Sequence, residues 1–416
     1  MFGLVGKKLS HSFSKEIHEE LVNQTYNLIE LDQLDSFFYE KAFLGVNVTI
    51  PYKREVFKYL DYVAESATIS NSVNTIINEN GVLTGYNTDF DGLIYLLKKN
   101  IISINGKSIL ILGNGATSGT AKAVCEFLHA DRIIVSARSP KENEYHFCDT
   151  YIHQNIQVII NATPNGMYPN NDDSTLIDIF KFQNLEAVID LVYNPLKTTL
   201  LIHAEEHNIK AVNGLLMLVH QAVKACELFH KLNFDDAITD SIYKQMLMSR
   251  LNFVLVGMPM SGKSHFAKRL SILFNKEYYD IDLQFESKYN TSIPTYFAEF
   301  GESAFRDAES CIIKTISSSH NYAISTGGGA ILREKNIHNL KQNGIIIFLD
   351  ASLELLQKCN PKNRPLLKDK RNLEKLYLER HHLYEKYADI VIKKDILDSD
   401  ILLKMIEVKI NEYISS

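Results

Sequence analysis

Two glycine-rich turns constrain this chain more than any other feature: Gly113-Asn-Gly115-Ala-Thr-Ser118 and Gly257-Met-Pro-Met-Ser-Gly262-Lys263-Ser264. Each follows a short β-branched run and opens a stretch of helical period, so each reads as strand, tight loop and helix start. Such a turn brings bare backbone close to a phosphate and offers it the free N–H groups of the helix N-terminus. Two of them predict two nucleotide-using domains, and a length of 416 residues suits two or three domains.

Around the turns, short apolar runs alternate with longer amphipathic stretches, the order that predicts parallel sheets covered by helices. Strands are expected at Phe2 to Gly6, Val46 to Ile50, Ser108 to Leu112, Arg132 to Ser136, Val158 to Asn161, Ala187 to Leu191, Phe253 to Val256 and Ile345 to Leu349. Several end on Gly, Asn or Asp, at the carboxyl edge where open α/β sheets bind ligands. The expectation is an α/β protein throughout, with a lobe over residues 1–100, a dinucleotide-binding lobe over 101–233 and a further domain over 251–416. A helix over 234–248, with Ile238, Ile242 and Met246 on one face, is expected to return to the first lobe. No Gly/Ser or Pro linker follows it, which argues for domains held close.

Composition narrows the partners. Lys plus Arg number 44 against 50 Asp plus Glu, a net charge of −6 with no basic tail, so a general binder of nucleic acid or anionic membrane is not expected. Five cysteines (Cys125, Cys148, Cys226, Cys311 and Cys359) stand apart without any C-x-x-C, against both a disulfide framework and a zinc ribbon. No apolar run approaches the roughly 20 residues of a spanning helix, and the N-terminus lacks a signal-like apolar stretch. A cytoplasmic protein with small-molecule ligands is the expectation; a homo-oligomer is compatible with the sequence but not indicated by it.

At the first turn, Ser118 replaces the third glycine of G-x-G-x-x-G. The next strand ends on Arg138, where an NAD enzyme would carry an Asp or Glu for the ribose 2′-hydroxyl. A guanidinium suits a 2′-phosphate instead, which favours NADP.

The first lobe carries Ser10-His-Ser12-Phe-Ser14, Asn47-Val-Thr49-Ile-Pro-Tyr-Lys53, Asn71-Ser-Val-Asn74-Thr and Asn87-Thr-Asp89. In this order the motifs closely resemble those of the shikimate dehydrogenase family. The resemblance continues through Asn161-Ala-Thr-Pro-Asn-Gly166, Asp190-Leu-Val-Tyr193-Asn-Pro and Gly214-Leu-Leu-Met217-Leu-Val-His-Gln221, covering residues 1–246. It implies that Ser12 and Ser14 hold the substrate carboxylate, while Thr49, Asn74, Tyr193 and Gln221 contact ring hydroxyls or carboxylate. Lys53 and Asp89 would form the catalytic pair, with Asp89 also touching substrate. Gly113, Asn114, Gly115, Ala116, Thr117, Arg138, Thr163, Gly214 and Met217 would hold NADP(H). The chemistry agrees, because hydride reduction of a ketone leaves an alkoxide that needs a proton and a nearby positive charge. Two departures stand out: Lys15 replaces a usual Pro, and the loop Ser-Ala-Arg-Ser leaves only Arg138 and Lys141 to meet a 2′-phosphate.

The second turn matches G-x-x-x-x-G-K-[ST] in strand-loop-helix context. Gly257, Ser261, Gly262, Lys263, Ser264 and His265 are expected to hold ATP, with Lys263 on the β and γ oxygens and the Ser264 hydroxyl on Mg²⁺. Beyond it lie Tyr279-Asp280-Ile-Asp282, Phe305-Arg306-Asp-Ala-Glu309, Thr326-Gly327-Gly328-Gly329, Asn363-Arg364-Pro-Leu-Leu367 and Glu379-Arg380-His-His-Leu-Tyr384. Their order and spacing resemble shikimate kinase over residues 251–416. That resemblance implies Asp280 beside Mg²⁺, Asp282 facing the reacting hydroxyl, Arg306 and Arg380 clamping the shikimate carboxylate, and Gly327, Gly328 and Gly329 lining the acceptor. Arg364, on a lid, would reach the transferring phosphoryl group. Met260 departs from a usual Gly, His265 from a usual Ser or Thr, and the stretch Lys358 to Asn363 lacks an upstream Arg.

Together the resemblances imply an N-terminal α/β substrate lobe, a Rossmann NADP-binding lobe and a P-loop α/β domain like the nucleoside-monophosphate kinases. They imply one bifunctional enzyme: NADPH reduces 3-dehydroshikimate to shikimate, and MgATP phosphorylates the shikimate 3-hydroxyl. The rivals are a quinate/shikimate dehydrogenase of relaxed cofactor use fused to a kinase, and a non-catalytic metabolite sensor. A sensor should have lost reacting groups, yet Lys53, Asp89, Lys263, Asp282 and Arg364 are all present.

Overall fold

The structure is a computed structural model that describes residues 1–9, 13–171, 174–358, 370–394 and 398–415. Ser12 and Arg364 lie outside the described residues. Among the described residues the strands form three sheets, and the chain divides into two compact units. One unit comprises Met1–Asn194 with Thr198–Tyr243, the other Pro195–Lys197 with Lys244–Ser416. No helix of the described residues is long and apolar enough to cross a membrane.

The first sheet takes β1 (Phe2–Gly6), β2 (Tyr26–Glu30), β3 (Gly45–Val48), β4 (Tyr62–Val63), β5 (Thr75–Glu79) and β6 (Val82–Tyr86), in the order β2-β1-β3-β5-β6-β4. It is mixed rather than parallel, because β5 pairs antiparallel with both β3 and β6. Asn80 (φ 53°) and Gly81 (φ 89°) make the two-residue turn that closes β5 onto β6. Both angles are positive, as a type I′ hairpin requires. β3 ends two residues before the expected Ile50. Pro51 lacks the N–H a ladder needs, and the chain turns there with Tyr52 N–H donating to Thr49 O at 2.9 Å.

The second sheet is parallel, in the order β12-β11-β10-β7-β8-β9, from β7 (Ser108–Leu112), β8 (Arg132–Ala137), β9 (Tyr145–His146), β10 (Val158–Asn161), β11 (Ala187–Asp190) and β12 (Lys210–Asn213). The apolar residues of β7, β10 and β11 are buried, as strands covered on both faces must be. The helix Leu215–His230, which follows β12, packs on helix Thr88–Lys99 and on helix Ser14–Val22 of the first lobe. Sequence spacing groups it with the dinucleotide lobe; in the structure its large buried face is shared with the first lobe. The next helix, Asp236–Arg250, meets Thr88–Lys99 through Asp240, which accepts from Lys99 Nζ at 2.6 Å and Tyr95 OH at 3.1 Å.

The third sheet is also parallel, in the order β14-β15-β13-β16-β17, from β13 (Asn252–Val256), β14 (Glu277–Asp280), β15 (Tyr322–Ser325), β16 (Gly344–Asp350) and β17 (Ile390–Lys393). β13 is buried along its whole length and leads straight into the second glycine turn.

Candidate active sites

The first site lies where the strands of the first two sheets end. Gly113 takes φ 107°, a left-handed conformation that favours glycine, and a Cβ there would sit 2.9 Å from Thr163 Cγ2. Ser118, in place of the third glycine, turns its buried hydroxyl back onto Gly113 O at 2.6 Å. The helix Ala116–Phe127 therefore begins with its first N–H groups available for an anion. Thr163 is fixed by Asn161, which takes both its N–H (3.0 Å) and its hydroxyl (2.7 Å).

Facing this turn, Lys53 Nζ lies 2.5 Å from Asp89 Oδ2, each side chain only 12% exposed. Asp89 stands in the first turn of helix Thr88–Lys99, whose N-cap Asn87 accepts from the Asp89 N–H at 3.1 Å. The Asn87 amide also donates to Ser70 Oγ (2.6 Å) and to Thr120 Oγ1 (3.0 Å) on the helix that follows the glycine turn. One buried side chain thus ties the Lys53–Asp89 pair to the dinucleotide lobe. Arg54, beside Lys53, makes a second tie by donating to Gly115 O at 3.2 Å.

The polar residues around the pair form one network. Asn74 accepts the Thr88 N–H at 2.7 Å and donates to Gln221 Oε1 at 3.2 Å, while Asn47 donates to Thr75 Oγ1 at 2.9 Å. Burial, with the Asp89 charge adding to it, raises the Tyr193 phenol above its ordinary pKa, so it keeps its proton. Ser14 opens its helix and is buried, and Thr49 follows β3. Gly214 caps, and Met217 belongs to, the helix Leu215–His230.

The second site is built on the P-loop. Lys263 Nζ donates to Gly257 O at 2.9 Å and Met258 O at 3.0 Å, and the buried Ser261 Oγ has no hydrogen-bond partner among the described residues. Met260 takes φ 71°, so the loop makes a left-handed bend with a side chain in place. Ser264 Oγ donates to Asp280 Oδ2 at 2.8 Å, and the same oxygen accepts from Tyr278 OH at 2.8 Å. Asp280 Oδ1 caps the next helix by taking the Asp282 N–H at 3.0 Å. A hydroxyl beside a carboxylate, at a triphosphate loop, is a donor set that suits Mg²⁺.

A cavity of about 760 Å³ opens beside this loop, with Asp282, Arg306, Glu309, Gly328, Gly329 and Arg380 among the residues of its wall. Arg306 pairs with the buried Glu309 at 2.7 Å. Arg380 NH1 and Tyr384 OH both donate to Gly328 O, at 3.1 and 2.6 Å. A Cβ on Gly329 would run into the Arg306 guanidinium, so a side chain there would have to displace it. The Nε atoms of Arg306 and Arg380 are buried and have no hydrogen-bond partner among the described residues. Two unsatisfied guanidinium donors in one cavity suit an incoming carboxylate. A smaller cavity of about 160 Å³ lies over the P-loop, and Asp282 and Gly328 line both. Tyr278 and Ser325, whose Oγ lies 3.0 Å from Ser264 Oγ, stand outside the motifs, because each meets the loop through another side chain.

The shikimate dehydrogenase substrate binding domain model matches residues 4–76, and the shikimate kinase model matches residues 259–409. The NADP(+) shikimate dehydrogenase of Clostridium perfringens (strain 13 / Type A) is 34% identical over 269 residues, 59% of this chain and 98% of that enzyme. The chain belongs to the shikimate dehydrogenase family. Among solved structures, shikimate dehydrogenase 1 of Peptoclostridium difficile is 37% identical with a TM-score of 0.54, covering 59% of this chain and 97% of that one. A chorismate mutase/shikimate 5-dehydrogenase fusion protein of Clostridium acetobutylicum is 34% identical with a TM-score of 0.54, covering 59% and 96%. The dehydrogenase likeness covers the first unit, and the rest of the chain carries a shikimate kinase domain. The chain is a bifunctional enzyme of the shikimate pathway.

Proposed function

We propose that the first unit reduces 3-dehydroshikimate to shikimate with Lys53 as proton donor, and that residues 251–416 phosphorylate shikimate with Asp282 orienting its hydroxyl. NADPH supplies the hydride. Lys53 delivers a proton to the oxygen that becomes the alkoxide and places its charge beside it, while Asp89, 2.5 Å away, holds the ammonium in position. Asn74, Gln221, Thr49 and Tyr193 orient the ring, and Ser14, with Ser12, receives its carboxylate. Gly113 to Thr117 take the pyrophosphate, Thr163, Gly214 and Met217 border the nicotinamide side, and Arg138 meets the 2′-phosphate.

In the kinase unit, Arg306 and Arg380 hold the shikimate carboxylate, and the Gly327 to Gly329 backbone lines its ring. The observation that carries the phosphoryl-transfer reading is that Asp282 borders both the acceptor cavity and the phosphate cavity. It is the one carboxylate among the described lining residues placed to orient a hydroxyl toward the γ-phosphate. Lys263, with His265 at the loop's edge, meets the phosphates; Ser264 and Asp280 would hold Mg²⁺, which neutralises charge on the β and γ oxygens. Arg364 is assigned to the transferring phosphoryl group from its motif. The full chain should consume NADPH with 3-dehydroshikimate and release ADP with shikimate and MgATP. Absence of either signal from folded protein would refute that half of the reading.

A further inference from the structure

The ribose edge of the dinucleotide site carries a carboxylate that no motif accounts for. The Asn114 side chain, in the glycine turn, donates to Ser139 O at 3.0 Å and to Glu144 Oε2 at 2.9 Å. The same oxygen accepts the Lys141 N–H at 2.8 Å, and the Glu144 N–H returns to Lys141 O at 3.0 Å. Residues 141–144 thereby close into a turn, with Asn143 at φ 64°, that aims Glu144 at the glycine turn. Both contacts of Oε2 are to neutral N–H donors, so its charge is not neutralised there. Arg138, adjacent to Ser139, is exposed at the end of β8.

We infer that Glu144 is a cofactor-selecting residue that accepts from the ribose 2′-hydroxyl of NADH and opposes the 2′-phosphate of NADPH. In an NAD enzyme of this fold, an acid at the end of the second strand accepts from that hydroxyl. Here that strand ends on Arg138, and the acid arrives from just before β9, held by Asn114. A carboxylate accepts from a hydroxyl but repels a phosphate, while a guanidinium attracts the phosphate. The two side chains therefore bias the same pocket in opposite directions, and NADH serves beside NADPH.

The inference rests on the dehydrogenase reading, and the test separates the two. Glu144→Gln keeps an oxygen for Asn114 and Lys141 but removes the charge. NADPH and NADH binding to the full chain would be read by nucleotide fluorescence, and shikimate oxidation would be followed with NADP⁺ and NAD⁺. Removing one like charge a few ångströms from a phosphate should tighten NADPH about five- to tenfold while leaving NADH unchanged or weaker. An unchanged NADPH-to-NADH ratio, or equal weakening of both, would overturn the inference and leave Glu144 a support of its loop. A shifted ratio without shikimate oxidation would uphold the inference and fail the dehydrogenase reading; oxidation without a shifted ratio would do the reverse.

Discussion

Arg138 and Gly329 are proposed to set affinity in two ways, one by its charge and one by having no side chain. Arg138 is the arginine at the end of β8, and a charge-assisted contact to phosphate contributes about 1.5–3 kcal/mol. Arg138→Ala should therefore weaken NADPH about ten- to hundredfold and NADH far less; equal losses in a binding titration would remove Arg138 from the 2′-phosphate site. At Gly329, a methyl group would displace the Arg306 guanidinium it meets. Gly329→Ala should raise the shikimate KM of the kinase about tenfold or more while the ATP KM holds. A normal shikimate KM would show that Arg306 does not clamp the acceptor. The pairing of Lys53 with Asp89 and the meeting of Asp282, Arg306 and Arg380 at one cavity are legible in the sequence, because each of these residues stands in a motif string that carries the resemblance. Glu144 is not legible, since only the fold of its loop brings it to Asn114.

The parallel strands, their order of burial and both glycine turns follow from sequence period, because strands covered on both faces must be nearly all apolar. The β5–β6 hairpin is less visible: its strands are half-polar, and the Asn80-Gly81 pair that marks it is a turn signal rather than a periodic one. Polar links between elements are also hidden until strand ends meet. Asp190, at the end of β11, takes Asn161 Nδ2 from the end of β10 at 2.9 Å, the Val192 N–H at 3.0 Å and the hydroxyl of Thr198, the next helix N-cap, at 2.6 Å. Burial pushes its carboxyl up to about 7, outweighing the three hydrogen bonds, which pull it down. A folded-state pKa above the ordinary value near 3.8 contributes stability that is full below about pH 4 and is lost as pH rises through 7. Asp190→Asn, with no charge to bury, should lack this loss. Between pH 4 and 7 the wild type should fall relative to the variant by on the order of 1 kcal/mol per pH unit in denaturant unfolding. Parallel pH profiles would show that Asp190 is ionised in the folded protein.

At the scale of the whole molecule, the groups proposed for each reaction, among the described residues, fall within a single unit. The boundary falls inside the helix Asp236–Arg250, and a single residue, Leu251, separates that helix from β13. Two nucleotide turns, each followed by its own substrate motifs, make this division legible in the sequence. Shikimate is at once the product of one reaction and the acceptor of the other, so the decisive question is whether it leaves the protein between them. Lys53→Ala removes the proton donor and the cation beside the nascent alkoxide, and should abolish reduction while sparing phosphorylation of added shikimate. Lys263→Ala removes the ammonium that meets the β and γ oxygens, and should do the opposite. Shikimate is small, charged and water-soluble, so it is expected to leave the protein after turnover. An equimolar mixture of the two variants should then convert 3-dehydroshikimate to shikimate 3-phosphate, with free shikimate accumulating first and the rate rising with the concentration of the Lys53→Ala protein. A mixture that fails while both residual activities persist would mean that shikimate passes between the sites of one chain without release.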